Sequence, residues 1–233
     1  MKEELLEQYT MLSNGFLVDS AGIARPPWAC ANDLLRDYYD TEWGRPVHGE
    51  QAYYERLCLE GFQAGLSWEL ILRRRESLRE AFANFVPDVV ADFTASDIER
   101  IVTTKGMIRN ERKIRAVVTN AQACLALRDD PDYPGGLEEL INEFAPSYNA
   151  AESTAGDSAD GAPRSATKVT YSHLAEVPTQ SAESKALAKK LKSKGFSFVG
   201  PTSMFALFEA IGLHNYEVGP GQPVTQPDDH ENG

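Results

Sequence analysis

One carboxylate stands in an otherwise apolar segment of this 233-residue chain, in the stretch Cys58-Leu-Glu60-Gly-Phe-Gln-Ala64-Gly-Leu-Ser67-Trp68. If the segment is one continuous helix, Glu60, Ala64 and Ser67 share a face and Trp68 adjoins it. The small side chains would leave room for a flat ligand, with Glu60 at its polar edge and Trp68 as a stacking surface. The alternative is a structural Glu that caps a helix or pairs with a buried Arg, beside a Trp that fills the core.

A second block, residues 28–46, gathers large aromatic side chains with polar tips: Trp28, Tyr38, Tyr39 and Trp43. Tyr and Trp bury an apolar body and keep one polar atom for a partner, which suits a core edge and a nucleobase pocket equally. The block therefore indicates either a packing layer or a ligand pocket.

A third block, residues 98–118, predicts two short amphipathic helices joined by a turn that contains Gly106. Such a hairpin can direct backbone N–H groups and a helix N-terminus at a phosphate, while Lys105, Arg109 and Lys113 add positive charge. This arrangement would suit a grip on a DNA backbone that ignores base sequence. Any helical hairpin with a Gly turn has a similar pattern, so the signal is weak alone.

The charge distribution modifies what the total charge suggests. A net charge of -12 argues against a partner as anionic as DNA, because phosphate contacts need Lys and Arg. However, residues 98–120 hold six basic side chains against two acidic ones, and residues 181–200 hold five against one. These two segments are either phosphate-binding surfaces or solvated helix faces.

The organisation of the chain follows from apolar spacing, which is mostly helical, while strand alternation is nearly absent. Helix-start chemistry occurs at Thr94–Asp97 and at Ser181 or Ser184. We predict an all-α protein with an N-terminal extension at 1–24, a main domain at 25–218 and a mobile tail at 219–233. Within the main domain, the acidic and small residues at about 147–168 predict a flexible insert.

Composition restricts the class of protein further. The N-terminus lacks the apolar region of a signal peptide, and no stretch approaches about 18 uninterrupted apolar residues. Three distant cysteines, Cys30, Cys58 and Cys124, form no CxxC and indicate reduced thiols. We expect a soluble cytoplasmic protein that has no membrane partner and is a monomer.

Taken in order, four blocks of this sequence resemble the DNA-3-methyladenine glycosylase I family over residues from about 26 to 216. The resemblance implies an all-α helix-hairpin-helix DNA glycosylase fold, with two small helical lobes around a base-binding cleft and the hairpin near 104–113 on the DNA backbone. The blocks are Trp28 with Tyr38-Tyr39-Asp40-Thr-Glu42-Trp43-Gly44-Arg-Pro46, then Cys58 to Trp68, then Ile108-Arg109-Asn-Glu-Arg-Lys113-Ile, then Lys194-Gly195-Phe196-Ser-Phe198-Val199-Gly200-Pro-Thr202.

The resemblance also implies which residues act. Glu60 would be the catalytic carboxylate of the base pocket and Tyr38 its hydrogen-bonding neighbour, with Trp28, Trp43 and Trp68 as base-binding aromatics. The hairpin residues Lys105, Gly106, Arg109 and Lys113 would then hold the DNA backbone.

The implied activity is excision of 3-methyladenine from alkylated double-stranded DNA by hydrolysis, which leaves an abasic site. No Lys is placed as a Schiff-base nucleophile, so we expect a monofunctional enzyme. Asp129, Asp130 and Asp132 follow the hairpin but read as an exposed turn. Two other functions stay open: a non-catalytic DNA-lesion binding protein, and a binder of a purine-like small molecule.

One departure from the family concerns metal. Relatives of this kind often tie their termini with a zinc ion held by Cys and His, and the matching places here are Pro26, Tyr39, Glu217 and about Gly221. These residues do not form a tetrahedral Cys and His site. We therefore expect no metal and no cofactor, with the chain ends held by packing or by the N-terminal extension.

Overall fold

A computed structural model of the chain describes residues 7–146 and 168–224. The predicted insert at 147–168 lies outside the described residues except for Lys168, as does the part of the predicted tail beyond residue 224. The described chain divides into two compact units. The terminal unit is Met1–Glu42, Lys168–Pro178 and Tyr216–Gly233, and the helical unit is Trp43–Thr167 and Thr179–Asn215. The predicted boundaries after residues 24 and 218 stay predictions.

The secondary structure is mostly helical, which confirms the predicted all-α class. The helices are α1 Asp33–Thr41, α2 Glu50–Gln63, α3 Trp68–Ala81, α4 Pro87–Val90, α5 Ala95–Thr103, α6 Glu111–Arg128, α7 Gly136–Glu143, α8 Ala182–Ser193 and α9 Pro201–Ala210, with 3-10 turns at Ala83–Phe85 and Leu174–Glu176. The described residues also form two small sheets, β1 Thr10–Met11, β2 Leu17–Val18 and β3 Ala24–Arg25 in one, and β4 Lys168–Tyr171 and β5 Asn215–Val218 in the other.

Helix starts follow the capping signals in the sequence. The Thr94 backbone N–H donates to the Asp97 carboxylate over 2.9 Å, and Asp97 N–H donates back to the Thr94 hydroxyl, which completes a capping box before α5. Ser181 and Ser184 exchange the same pair of bonds before α8. Each box satisfies N–H groups that a helix start would otherwise leave without acceptors.

Helix α2 lies at the centre of the helical unit and packs against α3, α6, α7 and α9. It is buried on every side over its second half, from Leu57 to Phe62. The Tyr54 hydroxyl, also fully buried, donates to the Val117 carbonyl of α6 over 2.8 Å. A carboxylate on this stretch is therefore placed in the core by its neighbours.

The terminal unit contains the antiparallel sheet β1-β2-β3, with Thr10 opposite Val18 and Leu17 opposite Arg25. Arg25 is buried and donates to Asp19 and, through two nitrogens, to Asp40 of α1, each bond being 2.7 Å long. This ion pairing holds the pKa of Asp40 below its ordinary value. The extension is thus fixed to the first helix by charge-assisted bonds.

Among the described helices, none has both the length and the apolar character that crossing a membrane requires.

Candidate active site

Glu60 is a buried carboxylate with an acceptor oxygen that no group of the described chain uses. Its side chain is 4% exposed, and its Oε2 accepts no hydrogen bond from the described residues. The next residue, Gly61, passes close to another segment, since a Cβ there would lie 3.5 Å from Phe198 Cβ. A buried polar atom without a partner is costly, so this carboxylate favours a ligand group that donates to it.

Burial raises the pKa of Glu60 from its ordinary 4.5 to about 8, a shift that the nearby Glu209 carboxyl increases and Arg56 opposes. Glu60 therefore holds its proton at neutral pH when no ligand is bound. The ionised form would arise once a cation enters and replaces the lost hydration.

This shift predicts how stability depends on pH. Between the unfolded pKa near 4.5 and the folded pKa near 8, the folded state binds the Glu60 proton more tightly than the unfolded state. The free energy of unfolding therefore falls as pH rises through this window, by up to about 1.4 kcal/mol per pH unit for one group. Glu60→Gln removes that dependence, so its stability relative to wild type should increase from pH 5 to pH 8 in urea unfolding.

Glu99→Gln is the matched control for this pH series, because it removes an exposed carboxylate on α5. A constant difference between Glu60→Gln and wild type at every pH would contradict a buried, proton-holding Glu60.

The continuous helix assumed from Cys58 to Trp68 is wrong. Helix α2 ends at Gln63, and Gly65 adopts a φ of +78°, a left-handed conformation that breaks the helix. Ser67 then caps α3 by accepting from Leu70 N–H over 3.2 Å, and Trp68 is the first residue of α3. Glu60 and Trp68 therefore belong to different helices.

Trp43 and Trp68 are both half-buried in the helical unit. Trp68 packs against the hydrophobic core of that unit. Trp43 precedes Gly44, whose N–H donates to the Ala210 carbonyl over 3.1 Å and so fixes this loop at the end of α9. Their base-binding role stays a prediction.

In the terminal unit the structure brings Trp28 and Tyr38 together. Tyr38 is buried on α1, whereas Trp28 is 36% exposed, and their ring centroids are 6.5 Å apart. Trp28 also meets Tyr39 edge to face at 5.4 Å. This aromatic cluster has one exposed ring, a geometry that suits a stacking surface.

The predicted hairpin is present as α5, a turn and α6, with Gly106 at a φ of +86° in the turn. Lys105 and Arg109 are exposed on this turn. Asn110 caps α6 by accepting from the Lys113 backbone N–H over 3.2 Å. A surface cavity of about 420 Å³ adjoins the turn, with Arg109 and Asn110 beside an apolar wall that includes Leu66, Leu70 and Ile108.

Lys113 does not point outward with the other hairpin cations. Its side chain is 6% exposed, and its ammonium donates to the carbonyls of Phe62 and Ala64 over 2.7 Å and 2.5 Å. Burial lowers its pKa. The expected phosphate contact is therefore corrected here to a structural one, because the last carbonyls of α2 need donors that the helix cannot supply.

Besides the buried Glu60, the helical unit holds a half-buried acid, Glu209, which the sequence analysis did not identify. It lies on α9, and burial raises its pKa to about 8. The signal was present in the sequence, since Glu209 is the one charged residue in the apolar segment Pro201–Ala210. A lone acid in an apolar helix is the same feature that identified Glu60.

The positions that match the family's zinc ligands do not fit a zinc ion. Pro26 offers no donor, and a Cβ at Gly221 would lie 2.6 Å from the Asn14 side chain, so a ligating side chain has no room there. In the described ranges no group of three or more His, Cys, Asp or Glu could hold a metal. Tyr39 and Glu217 alone do not make a tetrahedral Cys and His site.

Residues of the extension bond to the other end of the chain within the terminal unit. Ser13 N–H donates to Gln222 O over 2.8 Å, Val224 N–H donates to Met11 O over 2.9 Å, and the Asn14 amide donates to Gly219 O over 2.7 Å. These bonds join residues 11–14 to residues 219–224.

Comparisons with known proteins agree on one family. The family model described as methyladenine glycosylase matches residues 28–219. The DNA-3-methyladenine glycosylase of Haemophilus influenzae is 38% identical over 81% of this chain and 91% of its own length. The DNA-3-methyladenine glycosylase 1 of Escherichia coli is 36% identical over 82% and 91% of the two chains.

Solved structures give the same result for the fold. A crystal structure of 3-methyladenine DNA glycosylase I matches with a TM-score of 0.66 and 35% identity, over 79% of this chain and 91% of that one. The enzyme of Staphylococcus aureus, solved to explain its recognition of 3-methyladenine, matches with a TM-score of 0.68 and 29% identity over 81% and 90%.

Proposed function

The chain belongs to the methyladenine glycosylase family, and from this membership we infer that it is a DNA repair glycosylase that excises 3-methyladenine from alkylated DNA. The observation that carries the chemistry is Glu60, a core carboxylate with an acceptor oxygen left for a ligand. If this carboxylate had a purely structural role, we would expect a donor group of the protein to form a hydrogen bond with that oxygen.

The reaction needs recognition more than acid catalysis. Methylation at N3 makes adenine cationic and weakens its bond to the sugar, so the base leaves without being protonated. The lesion must rotate out of the duplex, which costs roughly a few kcal/mol in lost stacking. Stacking on aromatic side chains returns about 1–3 kcal/mol per base, and Trp68, Trp43, Trp28 and Tyr38 are the candidates.

Glu60 would ionise as the cationic base enters and form a charge-assisted hydrogen bond with it. Neutral adenine lacks that positive charge and binds the carboxylate less well. The same charge stabilises the electron-poor sugar as the base departs, and water then adds to the sugar carbon. The products are the free base and an abasic site, and no Lys is proposed as a covalent nucleophile.

Incubation with a methylated duplex tests this function. We expect free 3-methyladenine in the supernatant by chromatography, with abasic sites formed in equal amount and no broken strands. Tight binding to damaged duplex without base release would instead select a non-catalytic lesion binder. Purine binding without salt-dependent DNA binding would select a small-molecule binder.

The hairpin is proposed to hold the backbone of double-stranded DNA through Lys105, Arg109 and the turn at Gly106. Replacing both Lys105 and Arg109 by Ala should weaken DNA binding to the same extent whatever the base sequence of the duplex. The slope of log K against log salt should fall by about 2 in magnitude, because each phosphate contact contributes about 0.9. Fluorescence anisotropy over a salt series measures both effects.

Arg73→Ala is the control for the hairpin variant, because it removes an exposed Arg of α3 that is paired with Glu69. An unchanged salt slope in the hairpin variant would place the DNA contact elsewhere. Monomeric state and cytoplasmic location remain predictions.

We propose that the protein works without a resident metal, on the basis of the crowding at Gly221 and the bonds between residues 11–14 and 219–224. The purified protein should contain less than one zinc per ten chains by atomic absorption, and a chelator should leave its melting temperature unchanged. A stoichiometric zinc ion, or a lower melting temperature with chelator, would overturn the proposal.

A further inference from the structure

We propose that Arg74 of α3 is a DNA-binding residue, whose guanidinium contacts a backbone phosphate held at the Gly106 turn of the hairpin. The inference rests on the proposed function and adds to it a residue that lies outside the predicted hairpin segment, residues 98–118. The ligand is a phosphodiester of the duplex that carries the methylated base.

The position of Arg74 against the turn is the first observation. A Cβ at Gly106 would lie 3.3 Å from Arg74 Nη1, so the guanidinium lies directly beside the turn. Leu70, one helical turn before Arg74 on α3, lines the surface cavity together with Ile108, which follows the turn. Residues four positions apart share a face of a helix, so this face of α3 is directed at the hairpin.

The neighbours of Arg74 on α3 have acidic partners, whereas Arg74 has none. Arg73 pairs with Glu69 over 2.7 Å, and Arg75 pairs with Glu55 over 2.9 Å. Arg74 is half-buried, and within the described ranges it forms no ion pair and no hydrogen bond. All five N–H donors of its guanidinium are therefore available to an anion.

The same contrast separates the cations of the hairpin. Arg100 on α5 pairs with Asp97, and Arg115 on α6 pairs with Glu111. The cations nearest the turn are exposed and pair with no acid of the described chain: Lys105, Arg109 and Arg112. Positive charge therefore stays unbalanced at the turn, in a protein whose net charge is -12.

A phosphate is the anion that fits this arrangement. Two nitrogens of a guanidinium can donate in parallel to two phosphate oxygens, which a Lys ammonium cannot do. Arg74 comes from α3, while Lys105 and Arg109 belong to the hairpin, so cations of separate elements meet at one turn. In the free protein these charges repel one another, and a bound phosphate compensates them. Since Arg74 is half-buried, salt screens its contact less than the contacts of the exposed cations.

Fluorescence anisotropy over a salt series tests the contact on a duplex with a tetrahydrofuran abasic analogue, which has no base to release. One phosphate contact contributes about 0.9 to the slope of log K against log salt, so Arg74→Gln should lower the slope by about 0.9 in magnitude and weaken binding about eightfold at 0.1 M salt. Arg74→Lys retains the charge and should keep the wild-type slope, with a smaller loss of affinity. Arg73→Gln is the matched control, because it removes the adjacent Arg that is already paired with Glu69.

A series of duplexes with one neutral methylphosphonate linkage each identifies the phosphate. At one linkage the neutral group should weaken binding of the wild-type protein by about the same eightfold. Arg74→Gln should lose most of its sensitivity to that linkage, because the charge that the phosphate answers is already absent. Arg73→Gln should keep the wild-type sensitivity.

The outcomes separate the contact from the proposed function. A wild-type salt slope in Arg74→Gln, or a reduced slope in Arg74→Lys, would overturn the contact, while base release by the wild-type enzyme would still support the function. A reduced slope in Arg74→Gln, from a protein that releases no base, would keep the contact and reject the glycosylase. Binding of the wild-type protein that does not depend on salt would overturn both. Equal melting temperatures of Arg74→Gln and Arg73→Gln would show that a reduced slope is not a loss of fold.

Discussion

Glu60→Gln is expected to reduce the release of 3-methyladenine from methylated DNA by a factor of about 10²–10³, the usual cost of losing one aligned electrostatic group. Gln has the shape of Glu and can still accept a hydrogen bond, but it cannot carry the negative charge that answers the cationic base. Since Glu60 is 4% exposed, bulk water cannot replace that charge.

Single-turnover kinetics, with enzyme in excess over the methylated DNA, measure the loss of base-release rate without interference from product release. The variant should fold normally and be at least as stable as wild type at pH 8, because it no longer buries an ionisable group. Glu80→Gln, a change at an exposed position of α3, should keep full activity. Wild-type rates in Glu60→Gln would remove Glu60 from the chemistry.

Lys113→Met should lower the free energy of unfolding by about 2–4 kcal/mol. The carbonyls of Phe62 and Ala64 lose their donor in a buried place, and each unsatisfied acceptor costs about 1–3 kcal/mol. Removal of a buried charge offsets part of this loss. For a chain of this size the melting temperature should fall by roughly 4–16 °C.

Urea unfolding with Arg115→Met as the control separates the two roles considered for Lys113. Arg115 lies on the same helix, is exposed and pairs with Glu111 four residues before it, so its loss should cost only about 0.5 kcal/mol or less. The opposite result would be a Lys113→Met variant that keeps its stability but binds DNA more weakly and with a smaller dependence on salt. In that case the role of Lys113 would be to contact phosphate.

The buried Lys113 also connects two parts of the helical unit. Its ammonium holds the end of α2, the helix that carries Glu60, while its backbone lies in the first turn of α6 directly after the hairpin. A movement of the hairpin would therefore also move the end of the helix that carries the base-site carboxylate.

The sequence by itself determined the local features. The apolar residues around Glu60, from Leu57 to Phe62, indicate a buried carboxylate, because a segment that is apolar on all sides is placed in a core. The capping residues Thr94 and Ser181 fix helix starts through bonds within four residues. The hairpin follows from helical spacing and from Gly106, whose left-handed φ favours glycine.

The tertiary structure alone decided the features that depend on distant residues. The destination of the Lys113 ammonium is set by carbonyls about 50 positions earlier, so spacing predicted a surface cation where the fold has a buried one. The break after Gln63 separates Trp68 from the helix of Glu60. The packing of α9 on α2 is likewise decided only by the tertiary structure, since helical periodicity indicates which face of a helix is buried but not which partner covers it.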